Sequence, residues 1–292
     1  MVSHDTLARA ADFIWTNARL LERRLFAFEF AGGDGAAVVA ALRPYQNPDG
    51  GFGNALEPDM RCPESQPAST VLALNVLDEA DAFDDPMVEG VCAWLASITL
   101  PSGGLPWVLP SVEDYPCAPW WRGADHGRAR IYPTGAVVGQ LLKNGVEHPW
   151  LDRAASCCWD IIGAAEPDML EYHQLVGVAE FLGHASDRAR AEAEAQRIGE
   201  RIRADGLVET VEDKGEYANT PTKWAPTPDS IWRSLFTDDE IAADLDGLAA
   251  RQQDDGSWPL GFPLTSPAAD TEWRGVFTLD ALLKLRAYGR LG

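Results

Sequence analysis

Gln46-Asn47-Pro48-Asp49-Gly50-Gly51-Phe52-Gly53 governs the reading of the whole chain, because it returns near the C-terminus as Gln253-Asp254-Asp255-Gly256-Ser257-Trp258. Weaker copies stand between them, at Pro101-Ser102-Gly103-Gly104-Leu105-Pro106-Trp107 and Ala204-Asp205-Gly206-Leu207. Gly51, Gly104, Gly206 and Gly256 are separated by one or two multiples of about fifty residues, which is the spacing of a repeat protein. The copy due near residue 155 lacks its glycines. There Ala164-Ala165-Glu166-Pro167-Asp168-Met169 echoes the Glu57-Pro58-Asp59-Met60 that follows the first copy.

The stretch before each turn is amphipathic, best seen over 187–205, where Ala189, Ala193, Ile198 and Ile202 share a face. The stretch after each turn is apolar nearly all round, over 71–77, 136–142, 175–182 and 276–283. Such a helix is predicted to be surrounded by other helices. Proline heads these inner segments at Pro67, Pro133, Pro167, Pro228 and Pro267 and the outer ones at Pro86 and Pro149, as suits the first helical position. With an N-terminal helix over about 5–30, the pattern predicts about eleven to twelve helices and no strands. The expected fold class is all-α, a single α/α toroid domain over 1–292 with inner and outer helices. An open solenoid fits less well, because the terminal units lack a polar outer face.

The glutamine, glycine and aromatic pattern of Gln46 to Phe52 and of Gln253 to Trp258 resembles the repeat of squalene and hopene cyclases and of prenyltransferase β-subunits. These belong to the terpenoid cyclase and protein prenyltransferase superfamily, and the period extends the resemblance over essentially the whole chain. The resemblance implies a toroid with an isoprenoid-like or other apolar small molecule in a central, aromatic-lined cavity. Two chemical signatures of that superfamily are missing. No DxDD motif, whose middle aspartate protonates an alkene in class II cyclases, occurs; Asp81-Ala82-Phe83-Asp84-Asp85 and Asp244-Leu245-Asp246 are near misses. No Asp, Cys and His zinc trio is recognisable, and neither a cofactor nor a metal is expected.

In a toroid the loops before the inner helices converge on one mouth. Three are rich in functional side chains: 57–66, 110–132 and 212–232, the last carrying Asp213, Glu216 and Tyr217. For acid–base chemistry the candidates are Glu57, Asp59, Glu64, Asp125, His126 and His173, since a carboxylic acid in an aromatic cavity can donate a proton near neutral pH. Asp and Glu at helix starts also serve as caps. For substrate binding the candidates are Trp121, Tyr132, Tyr172, Trp224, Trp232, Trp258 and Trp273, whose rings suit an apolar or cationic ligand, together with Arg61.

The net charge of −21 disfavours nucleic acid and anionic lipid as partners. No apolar run approaches the roughly 18 residues of a membrane span, and Met1-Val2-Ser3-His4-Asp5 is unlike a signal peptide, so the expected location is cytoplasmic. Five cysteines without a CxxC spacing read as buried thiols. Homo-oligomerisation is left open. The leading functional expectation is a terpene cyclase-like or prenyltransferase-like enzyme using a carboxylic acid of the 57–64 loop as proton donor. A non-catalytic ligand-binding or interaction protein on the same toroid and a carbohydrate-active α/α barrel are the alternatives.

Overall fold

Three of the glycine turns close through the same hydrogen bonds. In the computed structural model, which describes residues 4–164, 169, 171–211, 218–262 and 266–291, the Asn47 N–H donates to Gly51 O at 2.9 Å and the Gly50 N–H to Asn47 O at 2.9 Å. Leu100 with Gly104 and Gly103, and Gln253 with Ser257 and Gly256, repeat both bonds at 2.8–2.9 Å. In each turn the next N–H donates to a threonine hydroxyl on a following inner helix. Phe52 reaches Thr70, Leu105 reaches Thr134 and Trp258 reaches Thr278. The glycine at positive φ is required in all three. An added Cβ would stand 2.2 Å from Gly90 O at Gly50, 2.9 Å from Arg153 O at Gly103 and 2.0 Å from Arg9 O at Gly256.

The inner helices that carry the threonines are α4 (Pro67–Glu79) and α6 (Ile131–Lys143), with a third at Pro267–Ala287. The outer helices against which the glycines press are α5 (Met87–Ile98), α7 (Pro149–Ala164) and α1 (His4–Asn17). The N-terminal helix therefore stands to the last turn as α5 and α7 stand to the first two. Among the described residues the other α-helices named here are α2 (Leu20–Phe30), α3 (Gly35–Leu42), α8 (Tyr172–His184), α9 (Arg188–Ala204), α10 (Pro221–Trp224) and α11 (Asp238–Ala250), making Pro267–Ala287 α12. Among the described residues no strand forms, and isolated bridges join Gln46 to Phe52 and Met60 to Cys117. The chain is all-α, as expected. No described helix is long and apolar enough to cross a membrane.

Packing divides the chain into two units, Asp34–Ala191 and Met1–Gly33 with Glu192–Gly292. In the first, α6 packs against α4, α7 and α8. Its contact with α8 is backbone to backbone. A Cβ at Gly135 would lie 2.4 Å from Gly177 O, and one at Gly139 2.3 Å from Glu180 O. In the second, α12 packs against α1, α2 and α11, with Leu279, Leu282 and Leu285 buried.

Three expectations are corrected. Gly206 is not a member of the turn family: at φ +66 to +69 like other helix-stop glycines, it ends α9 with the Leu207 N–H on Ile202 O at 3.0 Å, and a Cβ there would meet nothing. Pro228 starts a turn and not a helix, because Ser230 Oγ takes the Thr227 N–H at 3.0 Å and the Ser230 N–H returns to Thr227 O. The helix expected over 5–30 breaks at Ala18–Arg19, where Asn17 Nδ2 donates to Phe13 O and Arg23 Nε to Ala18 O. The Glu166-Pro167-Asp168 echo, Asp213, Glu216 and Tyr217 lie outside the described residues.

Candidate functional site

The 53–66 loop leaves the first glycine turn and is held by it. Asn47 Nδ2 donates to Pro63 O at 2.8 Å and Ser65 Oγ at 3.1 Å, and the Ser65 hydroxyl donates to Asp49 Oδ1 at 2.6 Å. Its far side is clamped to the next loop: the Ala118 N–H donates to Asp59 O and the Arg61 N–H to Pro116 O. Beneath these strands of loop lies an apolar cluster that includes Met60, Val108, Val112, Cys117 and Trp121. The packing leaves Glu57 and Asp59 almost fully buried, at 5% and 3% exposure.

Glu57 acts on Tyr132, at the start of α6. Burial, and then the Glu57 carboxylate, push the Tyr132 hydroxyl well above its ordinary value, so it stays a neutral donor. Tyr132 faces His173 with ring centroids 6.3 Å apart, and His173 meets Tyr172 at 5.6 Å. His173 Nδ1 lies 3.6 Å from Glu171 Oε1 in a half-exposed pair. Four of the residues picked from the sequence, Glu57, Tyr132, Tyr172 and His173, therefore share one neighbourhood at the starts of α6 and α8.

Other candidates have different roles. Glu64 is exposed and accepts from the Cys62 thiol at 3.1 Å and the Tyr115 hydroxyl at 3.2 Å. These bonds, the thiol's first, hold its carboxyl below the usual range, which makes it an acceptor and a poor acid at neutral pH. Asp125 Oδ1 takes the Gly127 N–H at 3.0 Å, and His126 Nδ1 lies 3.0 Å from Val108 O, so this pair braces its own loop. Arg61 Nη1 reaches Pro58 O at 3.4 Å.

The tryptophans divide in the same way. Trp121 is buried edge-on to Trp107, centroids 5.7 Å apart. Trp224, Trp232 and Trp258 are buried, and each spends its indole N–H on a backbone carbonyl: Asn219, Ala195 and Leu248 respectively. They are packing residues, where the sequence reading expected a pocket wall. Trp273 is half-buried against Phe262 and Phe277.

Two features were missed. Inner helices expected to be enclosed on all sides keep an accessible stripe. On α8, Tyr172, Val176 and Glu180 are half-exposed at helical spacing while Leu175, Val178, Phe181 and Leu182 are buried; on α4, Leu72, Val76 and Glu79 form the matching stripe. The second is a polar group at the C-terminal ends of α4, α6 and α8. Gln140 Nε2 donates to Asn75 Oδ1 at 3.2 Å and Glu180 Oε2 at 3.5 Å, and Lys143 Nζ pairs with Asp78 at 2.6 Å. Burial raises the Glu180 carboxyl, Lys143 opposes the rise and Asp78 adds to it. The signal was present in the sequence: Asn75, Gln140 and Glu180 are polar residues inside apolar runs.

No family model matches the chain, and no curated protein matches it in sequence. Solved structures do. A protein from Actinoplanes aligns at TM-score 0.60 with 18% identity, covering 97% of this chain and 98% of its own. Two variants of the type II terpene cyclase MstE from Scytonema, each in complex with the substrate geranylgeranyl dihydroxybenzoate, align at TM-scores 0.55 and 0.54. Both are 16% identical and cover at least 96% of this chain and 95% of theirs. The chain has a terpene cyclase-like fold.

Proposed function

We propose that the protein is an enzyme of the type II terpene cyclase kind, which protonates an alkene of an isoprenoid or similar apolar ligand, and that Glu180 is the proton donor. The observation that carries this is the accessible stripe of α8. It begins at Tyr172, continues through Val176 and ends at Glu180, a length of about 12 Å at helical rise. An apolar chain laid along it has an aromatic ring at one end and, at the other, a carboxyl whose burial favours the protonated form. The half-exposed Leu72 and Val76 offer further apolar surface on α4. Protonation of the alkene would leave the carboxylate beside Gln140 Nε2. Tyr132 and Tyr172 supply ring faces of the kind that stabilise a cation. Support from outside the chain is the fold shared with MstE along its length.

The single-domain toroid belongs to the same reading, supported by α1 taking the outer-helix place at the last turn; it predicts one cooperative unfolding transition in urea by both tryptophan fluorescence and circular dichroism.

The test is incubation with polyprenyl alcohols and polyprenylated benzoic acids of increasing chain length, followed by product analysis. Glu180→Gln should lower turnover by about a hundredfold or more while binding persists. Activity should fall as pH rises through the raised Glu180 value, since the acid form is the one that acts. Loss on Glu57→Gln with Glu180→Gln active would move the donor to the loop. Binding without turnover would make the protein a carrier, and no binding at any length would defeat the reading.

A further inference from the structure

A cavity lies between α7, the starts of α6 and α8, and the 127–130 segment. Its volume is about 430 Å³, within the range of about 300–1,000 Å³ usual for small-molecule sites. Its one α8 residue is Gln174, which belongs to the buried face of that helix.

Gln174 is 2% exposed. Its Oε1 accepts the Tyr132 N–H at 3.3 Å, which fixes the amide, and its Nε2 has no hydrogen-bond partner. A buried amide donor left in that state is destabilising, and an acceptor supplied by a ligand would relieve it. The same cavity is lined by Arg128 and Arg130, two basic residues of one segment in a chain of net charge −21, the Arg130 guanidinium lying over the Trp107 ring at 6.0 Å from its centroid. Amide and guanidinium groups are all donors, and together they match the oxygens of a carboxylate or phosphate. Ile131, Ile161 and Met169 complete the lining with apolar surface.

We propose that this cavity binds a small molecule with an oxyanion head and a short apolar body, the head held by Arg128, Arg130 and Gln174. Asp160 of α7 also lines the cavity and works against an anion there. The site shares no named residue with the α8 stripe, so its occupancy is read separately from turnover.

Calorimetric titration of the full chain with octanoate, octyl phosphate and octanol tests the proposal. One of the two anions should bind saturably, with octanol at least about tenfold weaker. The tighter of the two anions identifies the head group as carboxylate or phosphate. Gln174→Glu keeps the acceptor for the Tyr132 N–H and replaces the donor by a negative oxygen, so it should weaken the anion about tenfold or more. Arg128→Met should act in the same direction, and Asp160→Asn should tighten binding severalfold. Circular dichroism confirms folding of each variant; if Gln174→Glu does not fold, the other two decide. Failure of both anions to bind, equal binding of octanol, or folded variants that leave the affinity unchanged would overturn the site.

Discussion

At the first glycine turn Asn47 and Asp49 reach forward and hold the loop that carries Glu57 and Asp59. At the last turn the side chains are gripped from behind: Arg274, on α12, donates to Gln253 Oε1 at 3.1 Å and pairs with Asp255 and Ser257. The backbone bonds of the two turns are the same, and so is the glutamine that anchors each. Gln46 Nε2 donates to Gly50 O and Met87 O, and Gln252 Nε2 to Gly256 O and Thr6 O, all at 2.9–3.0 Å. One turn supports a loop with buried acids, while the other locks a turn to its own helix. The common part serves the architecture, and the variable side chains decide whether a turn also serves a site.

The largest effect should be shared. Gly50→Ala and Gly256→Ala both force a Cβ into a backbone carbonyl at a φ above +90°, and each should cost about 3 kcal/mol or more in urea unfolding. Gly206→Ala, with open space around it, should cost only about 1–2 kcal/mol. Equal losses at all three would erase the distinction between family turns and a helix stop.

Arg274→Met comes next, at about 2 kcal/mol for lost charge-assisted hydrogen bonds. It also has a pH signature. Burial works to raise the Asp255 carboxyl, but the Arg274 bond and the Ser257 bonds outweigh it and hold the group below its ordinary value of 3.8. The stability is therefore present above about pH 4 and is lost as pH falls through the lower folded value. The variant should show a shallower acid limb in unfolding free energy than the parent, whereas Asn47→Ala should leave that limb unchanged.

Asn47→Ala is the smallest, about 1 kcal/mol, and local. Hydrogen exchange should quicken over 57–66 and not over 252–258. A uniform rise in both segments would show that the first turn, too, is purely architectural.

Much of this was legible in the chain. The turns at 46–52, 100–105 and 253–258 and the inner helices after them follow from glycine and apolar spacing, because each feature is local and each copy repeats it. Gly206 misled because a helix stop and a family turn both need positive φ; what separates them is the neighbouring helix that Gly256 touches and Gly206 does not. The tryptophans misled for a similar reason. Composition cannot say whether the Trp232 ring faces a cavity or, as the Ala195 carbonyl shows, the core.

By itself the sequence determined the helical class, the repeat and the positions of the turns, since backbone conformation and burial pattern are dictated within a few residues of each glycine, proline and apolar run. Only the tertiary structure decided that the Glu57 carboxylate raises the Tyr132 hydroxyl, that Gln140 meets Glu180 and that Gln174 lines a cavity with Arg128 and Arg130. Those pairings join residues on different helices and loops, and a carboxyl's burial or an amide's missing partner exists only once these have packed.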